Sequence, residues 1–274
     1  MTTVSGKHGV GRARAAAGVA LAILAGFGMS SRTVAESLTG REIVERADRN
    51  ARAKTETVKI SMELITNGEV VSRRELVWYF RNDANGQVSL MKFLSPASVR
   101  SVGVLTSEDK GRGNTTWQYL PATRAVRRIS AEHKQNRFMG TEFVYEDFEG
   151  MKLAKYDFTL LKTAPCGDHQ QCDVVEARAS DSGEMKTTGY GKKRYWIDGD
   201  QFFLVKTELF NKEGQLAKVV EGKDFRSVDG YWRSREELIT NLKTNGSTRL
   251  IELDRKMDGK LDPYYVSQQY LRAE

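Results

Sequence analysis

From Thr57 the chain alternates. Val58, Ile60, Met62 and Leu64 are separated by Lys59, Ser61 and Glu63, the period of two that marks a strand with one face in a core and one in water. Asn67-Gly68 follows, a dipeptide suited to a tight hairpin turn. The return strand carries Leu76, Trp78 and Phe80 on one face and ends at Asn85-Gly86. Further strands are expected over residues 88–94 and 99–106, with Ser95-Pro96 at the turn between them because proline cannot donate to a ladder. Residues 152–161 and 173–179 read as another hairpin. Turn signals then recur at Asp198-Gly199, Glu213-Gly214, Asp229-Gly230, Asn245-Gly246 and Asp258-Gly259. Long strands joined by tight turns predict an antiparallel meander of ten or eleven strands, and a sheet that wide curls. Ahead of it, Thr39-Gly40-Arg41-Glu42 fits a capping box, and Ile43, Ala47 and Ala51 recur at helical spacing. An amphipathic helix is expected over residues 40–53, laid on the sheet. No linker interrupts the pattern, so residues 36–274 form one domain of mainly β class: a curved, incomplete antiparallel barrel with a few helices.

The stretch from Trp117 to Phe148 breaks this regularity. Trp117-Gln118-Tyr119-Leu120 reads as a strand closed by Pro121, followed by a second strand bearing Arg124, Arg127 and Arg128. Phe138, Met139, Phe143, Tyr145 and Phe148 then crowd a segment with no strand or helix period. Loops normally lie in water, so this segment either folds back as a lid over an apolar cavity or plugs the core. One helix of about fourteen residues cannot cover the inner face of so wide a sheet; the aromatic segment, more helix or a ligand must cover the remainder. Val58, Ile60, Met62, Leu64, Trp78 and Phe80 are the expected cavity-lining positions. Arg124, Arg127 and Arg128 have three readings: a solvated strand face, a phosphate site, or a latch that holds the lid through Glu142, Glu146 or Asp147.

Residues 1–35 are a separate matter. Lys7, Arg12 and Arg14 precede an apolar run over residues 15–29, and Thr33-Val34-Ala35 offers a cleavage site. This is the pattern of a secretory signal peptide, and the run is short for a membrane span. The leader holds four basic residues and no acids, so its removal leaves +3 of the chain's formal +7. A bulk charge that small supplies no nucleic-acid footprint. In an exported protein, Cys166 and Cys172 read as a disulfide closing a loop of about seven residues. A Cys-His-Cys metal site through His169 is the alternative, although the spacing matches no zinc pattern.

Little here points to catalysis. Beyond the leader the chain has two histidines, His133 in a polar segment and His169 between the cysteines. No Gly-x-Ser-x-Gly elbow is present. Glu142, Glu146 and Asp147 offer carboxylates of the kind used in glycoside hydrolysis, but acids beside arginines more often form ion pairs. The expectation is a protein that is not an enzyme, with no cofactor and no metal.

The pattern from Trp117 through Leu120-Pro121-Ala122, Arg124, Val126-Arg127-Arg128-Ile129, Phe138-Met139-Gly140-Thr141-Glu142-Phe143 and Tyr145-Glu146-Asp147 resembles the LolA-like family of outer-membrane lipoprotein-sorting proteins. The resemblance extends over most of the chain after the leader. It implies an eleven-stranded half-barrel with a helical lid and an apolar cavity, and a periplasmic address. It implies a carrier or chaperone of acylated lipoprotein or a related lipid, taken from an inner-membrane transporter of resistance-nodulation-division type and passed to an outer-membrane acceptor; a carrier that exposes a cavity mouth is able to work as a monomer. The chain lacks the anchor cysteine of the lipid-anchored receptors of this group. An adaptor of an envelope exporter, with its cavity filled by its own side chains, is the alternative reading.

Overall fold

The computed structural model describes residues 37–108, 114–167, 169–180 and 182–274. The chain divides into Met1–Ser37 and Leu38–Glu274, and the expected signal peptide lies outside the described residues. Within the second unit, thirteen strands form one antiparallel sheet: β1 (Thr55–Thr66), β2 (Glu69–Asp83), β3 (Gly86–Ser95), β4 (Gly103–Ser107), β5 (Thr115–Leu120), β6 (Ala125–Ile129), β7 (Tyr156–Cys166), β8 (His169–Ala179), β9 (Lys192–Asp198), β10 (Leu204–Phe210), β11 (Leu216–Val228), β12 (Tyr231–Asn241) and β13 (Gly246–Met257). The spatial order is β6-β5-β4-β3-β2-β1-β13-β12-β11-β10-β9-β8-β7. The first hairpins and the last ones therefore meet where β1 pairs with β13, and β6 and β7 remain as edges. The sheet is not closed into a barrel.

The expected ten or eleven strands become thirteen. The shortest, β4 and β6, each of five residues, both fall in stretches expected as strand. Residues 96–101, half expected as strand, form a turn instead, with Ser101 in the left-handed region at φ 65°.

Residues directly opposite in antiparallel pairs face the same side, so the registers define the faces. One row runs Leu64–Thr248–Ile239–Val220–Thr207–Tyr195–Val175–Leu160 across eight strands. Another runs Val58–Trp78–Met91–Val104–Gln118. We call this the inner face. The helix α1 (Gly40–Ala51) packs on it at the β7–β9 side, burying Ile43, Val44 and Ala47 against Tyr156, Val175, Ala177, Tyr195 and Ile197. The capping box forms as expected, with the Glu42 N–H donating to Thr39 Oγ1 at 3.3 Å and the Thr39 N–H to Glu42 Oε2 at 2.8 Å. Gly40 permits the close approach: a Cβ there would sit 2.6 Å from the Leu160 nitrogen.

The outer face of β2–β5 is buried as well. Tyr79, Leu90, Leu105 and Trp117 pair across it, and the C-terminal segment covers them through Val266 and, from a short helix at Gln268–Arg272, Leu271. The Lys92 ammonium donates to the Tyr270 carbonyl at 2.8 Å and to that of Ala273, and Tyr119 Oη donates to Glu274 at 3.1 Å. These contacts pin the chain end.

Cys166 and Cys172 are bonded to each other at the tip of the β7–β8 hairpin. The Cys-His-Cys reading is thereby excluded, because both sulfurs are consumed. Replacing both cysteines by serine should lower stability by about 2–2.5 kcal/mol, the chain-entropy value for so short a loop. Urea unfolding of the double variant against the oxidised parent measures it.

Candidate functional site

Residues 138–148 lie on the inner face, over β1–β5, β12 and β13. Phe138 is fully buried, at 0 % exposure, and Phe143, Tyr145 and Phe148 are each below 10 %. They form one cluster with Val58, Ile60, Met62, Leu76, Met91, Phe93, Ile239 and Leu250, against which Leu64, Trp78, Phe80 and Met139 also pack. The expected cavity-lining residues and the expected lid residues are thus brought into contact. Phe138 stands at the centre, with ring centroids 5.9 Å from Phe93, 5.5 Å from Tyr145 and 4.9 Å from Phe148. Phe148 meets Trp78 edge-on at 5.6 Å. We refer to residues 138–148 as the plug.

The plug has little regular structure, so its backbone must find partners singly. Its conformation is set by the Phe138 N–H donating to the Phe143 carbonyl at 2.8 Å and by the Thr141 hydroxyl donating to the Phe138 carbonyl at 2.7 Å. Met139 and Gly140 both adopt positive φ, 50° and 78°, to make the reversal between them. Only the last turn, Tyr145–Phe148, is helical, as a 3-10 turn. The helical lid is therefore divided: α1 covers one side of the inner face, and this mostly irregular segment covers the other.

The expected latch needs correction. Arg124, Arg127 and Arg128 are exposed on the edge strand β6 and the turn before it, and no described ion pair joins them to Glu142, Glu146 or Asp147. The edge position is the reason: among the described residues no strand lies beyond β6, so these side chains end in solvent at the border of the sheet. Glu142 instead accepts from Arg137 at 2.6 Å and from Asn241 at 2.8 Å, while its backbone N–H donates to Thr248 Oγ1 at 2.9 Å. Lys218 donates to the Glu142 carbonyl at 2.6 Å, and Arg74 to that of Met139 at 2.8 Å. Glu146 accepts from Thr188 Oγ1 at 2.6 Å, the Gly189 N–H at 2.8 Å and Lys193 Nζ at 2.9 Å. Asp147 accepts from the Val144 N–H at 2.8 Å and from Tyr190 Oη at 2.9 Å. Residues 188–193, which lead into and begin β9, thus hold the plug's far end.

These contacts set the charge states. Burial by itself would raise the Glu146 carboxyl, but Lys193, Thr188 and Gly189 outweigh it and hold the group at about 2. Burial opposes the charge on Lys193, and Glu146 overcomes it, so the ammonium is held well above its usual range. For Asp147 burial wins over the attraction of Lys218, and its carboxyl is pushed up. Sequence reasoning missed Glu237, on β12. It is half-buried on the inner face, and burial, followed by the neighbouring Asp147, raises it to about 7. Its place two residues before Ile239, on the same face of β12, was the signal available.

Because Glu237 holds its proton more tightly in the folded state, it contributes nothing adverse below its unfolded value near 4.5. Stability is then lost as pH rises from there through about 7. Glu237→Gln should therefore melt like the parent at about pH 4.5. At about pH 8 it should be more stable by up to about 3 kcal/mol, less where water screens the carboxylate. Calorimetric scans of both proteins at the two pH values check this.

Two small cavities adjoin the plug's cluster on the inner face. One of about 130 Å³ is lined by Val58, Ile60, Trp78, Phe80 and Leu250 together with Glu56, Arg235, Glu237, Glu252 and Arg255, and one of about 200 Å³ by Phe143, Leu209 and Val220 together with Glu146, Asp147, Lys193 and Glu237. Each is of the order of a cavity that takes a single benzene ring, ~150 Å³. A larger cavity, of about 830 Å³, lies elsewhere, between the end of α1, the β2–β3 turn and residues 151–155. Several of its charges are paired: Arg52 with Asp48 and Glu108 at 2.8 and 2.7 Å, and Lys152 with Glu149 and Glu184 at 3.0 and 2.7 Å. Met151 and Leu153 stand among these charges in a cleft of mixed lining. Among the described residues no group of three His, Cys, Asp or Glu side chains is placed to hold a metal.

The open sheet with one covered apolar face defines the class: the fold is that of outer-membrane lipoprotein-sorting domains and LolA-superfamily proteins. A domain from Vibrio parahaemolyticus named for outer-membrane lipoprotein sorting matches at 26% identity and a TM-score of 0.78, over 85% of this chain and 98% of that one. A DUF1329 family protein from Desulfovibrio piger matches at 22% identity and a TM-score of 0.77, over 85% and 97%. A LolA superfamily protein from Nitrosomonas europaea matches at 19% identity and a TM-score of 0.66, over 85% and 100%. The last two show likeness of fold alone. A family model described only as "Uncharacterized protein" matches residues 85–273, more than half of the chain, and the chain belongs to that family. No curated protein matches the sequence.

Proposed function

We propose that the protein is a periplasmic, non-enzymatic carrier whose inner face takes the acyl chains of a lipoprotein or related lipid when the plug moves aside. The observation that carries this reading is the cover itself. An apolar sheet face wide enough for acyl chains is closed by an irregular segment, hung on single hydrogen bonds and ion pairs along its border.

The magnitudes suit a shuttle. Burying a sixteen-carbon chain gains on the order of 10 kcal/mol at ~0.8 kcal/mol per CH₂. Withdrawing five large apolar side chains of the plug costs roughly 8–15 kcal/mol at ~1.5–3 each. The exchange is close to balanced, so cargo can be taken up and released without a nucleotide-driven step in this chain. The chambers of about 130 and 200 Å³ are too small for such a chain, so uptake requires plug movement.

In this proposal residues 1–35 direct export, residues 36–274 act as a monomer, an inner-membrane transporter of resistance-nodulation-division type donates the cargo, and an outer-membrane acceptor receives it. The Vibrio domain is named for lipoprotein sorting at the outer membrane, which is in keeping with this role. The adaptor reading draws on one observation as well: the inner face is filled by the chain's own side chains.

Native mass spectrometry of the protein purified from its cell envelope, with lipid extraction, separates the two. A co-purifying acylated species is the expected result. A clean unliganded mass, together with no uptake of a fluorescent apolar probe, would overturn the carrier reading in favour of the adaptor.

A further inference from the structure

The two small cavities on the inner face share one side chain. Glu237 lines both the one walled by Trp78 and Phe80 and the one walled by Phe143 and Leu209. The other glutamates on these walls are matched by cations. Glu56 pairs with Arg233 at 2.8 Å and with Arg255. Glu252 pairs with Arg255 at 2.7 Å and with Arg226. Glu146 pairs with Lys193 at 2.9 Å, and Glu149 with Lys152 at 3.0 Å and with Lys134.

No described hydrogen bond or ion pair engages Glu237. The charged group that acts on it from the plug is another carboxyl, Asp147. Lys218, on the same face of β11, is engaged by the Glu142 carbonyl. Arg235, at the border of the smaller chamber, is half-exposed and pairs with Asp224 at 3.4 Å. Among the described residues, Glu237 is thus the glutamate on these walls with no cation paired to it.

We propose that Glu237 is the recognition group of this face. It selects acyl ligands whose polar end donates a hydrogen bond and bears no negative charge, such as an amide N–H, a hydroxyl or an ammonium, over ligands that end in an ionised carboxylate or phosphate. The proposal rests on the carrier reading and names the class of ligand that reading would admit.

The physical reason is satisfaction of a half-buried carboxyl that has no described partner. Such a group gains from a donor that arrives with the ligand, and that gain is larger where the acceptor is charged. An anion brought to the same place meets Glu237 and Asp147 with every nearby cation already engaged. The faces of Trp78 and Phe80 add a favourable surface for an ammonium.

The experiment uses three twelve-carbon ligands that differ only at the polar end: dodecylamine, dodecanol and laurate. Each displaces a neutral fluorescent apolar probe from the full mature protein at about pH 8, where Glu237 is ionised. The expected result is displacement by the amine and the alcohol at concentrations roughly tenfold or more below laurate, with the amine's advantage lost in Glu237→Gln. Equal displacement by all three, or tighter binding of laurate, would overturn the assignment of Glu237 while leaving a lipid carrier. Absence of probe binding altogether would instead overturn the carrier reading and this inference with it. The wild-type ranking decides the selectivity claim even if the variant fails to fold.

Discussion

Phe138→Ala is expected to lower stability by about 3–5 kcal/mol, the range for removing a fully buried aromatic ring, and hence to lower the melting temperature by roughly 6–20 °C in a domain of this size. Phe138 has 0 % exposure and touches the sheet through Phe93 and its own segment through Tyr145 and Phe148. Its loss opens a cavity where plug and sheet meet, so the cost falls on that interface rather than on strand pairing. Probe uptake should therefore rise in the same variant at temperatures where circular dichroism still reports an intact sheet. Thermal melts and probe titration on one preparation measure both. A variant that loses stability without gaining uptake would identify residues 138–148 as a permanent part of the core.

Lys193→Met should cost about 3–5 kcal/mol near neutral pH, because it leaves the Glu146 carboxylate buried and without its cation. Glu146 is also held by Thr188 and Gly189, and hydrogen bonds from neutral groups do not replace the lost charge. The pH dependence follows from the sign of the shift. Glu146 is lowered from 4.5 to about 2, so the pair's contribution is fully present above about 4.5 and is lost as pH falls toward about 2. The deficit of the variant relative to the parent should therefore be largest at about pH 6–7 and shrink at about pH 3. Urea unfolding at the two pH values tests it. The double variant Glu146→Gln/Lys193→Met should recover part of the loss, since no unpaired buried charge remains.

Several local features were legible in the chain. The Thr39–Glu42 capping box, the hairpin at Asn67-Gly68, the inward alternation of Val58, Ile60, Met62 and Leu64, and the Cys166–Cys172 bridge all depend on neighbours within a few residues, or on a period of two. The latch was not legible. Glu146 and Lys193 are 47 positions apart, and nothing in either neighbourhood names the other. The arginines at 124, 127 and 128 were nearer in sequence, but their strand is an edge and leaves them in solvent. The second buried face of β2–β5 left a partial signal. Residues 88–94 hold Leu90 and Met91 side by side, a run without strict alternation, as expected of a strand covered on both sides. The C-terminal segment that covers the outer side could not be placed there from its own pattern.

The sequence by itself determined which stretches are strands, where they turn, which face of each is apolar, and that an aromatic segment without a period must be buried somewhere. Short-range sterics, turn chemistry and side-chain alternation suffice for that. Only the tertiary structure decided that β1 closes against β13, that residues 138–148 lie on the face this creates, and that Glu237 is left on that face without a described partner. Those outcomes depend on which distant strands become neighbours, and hence on which charges share a low-dielectric space.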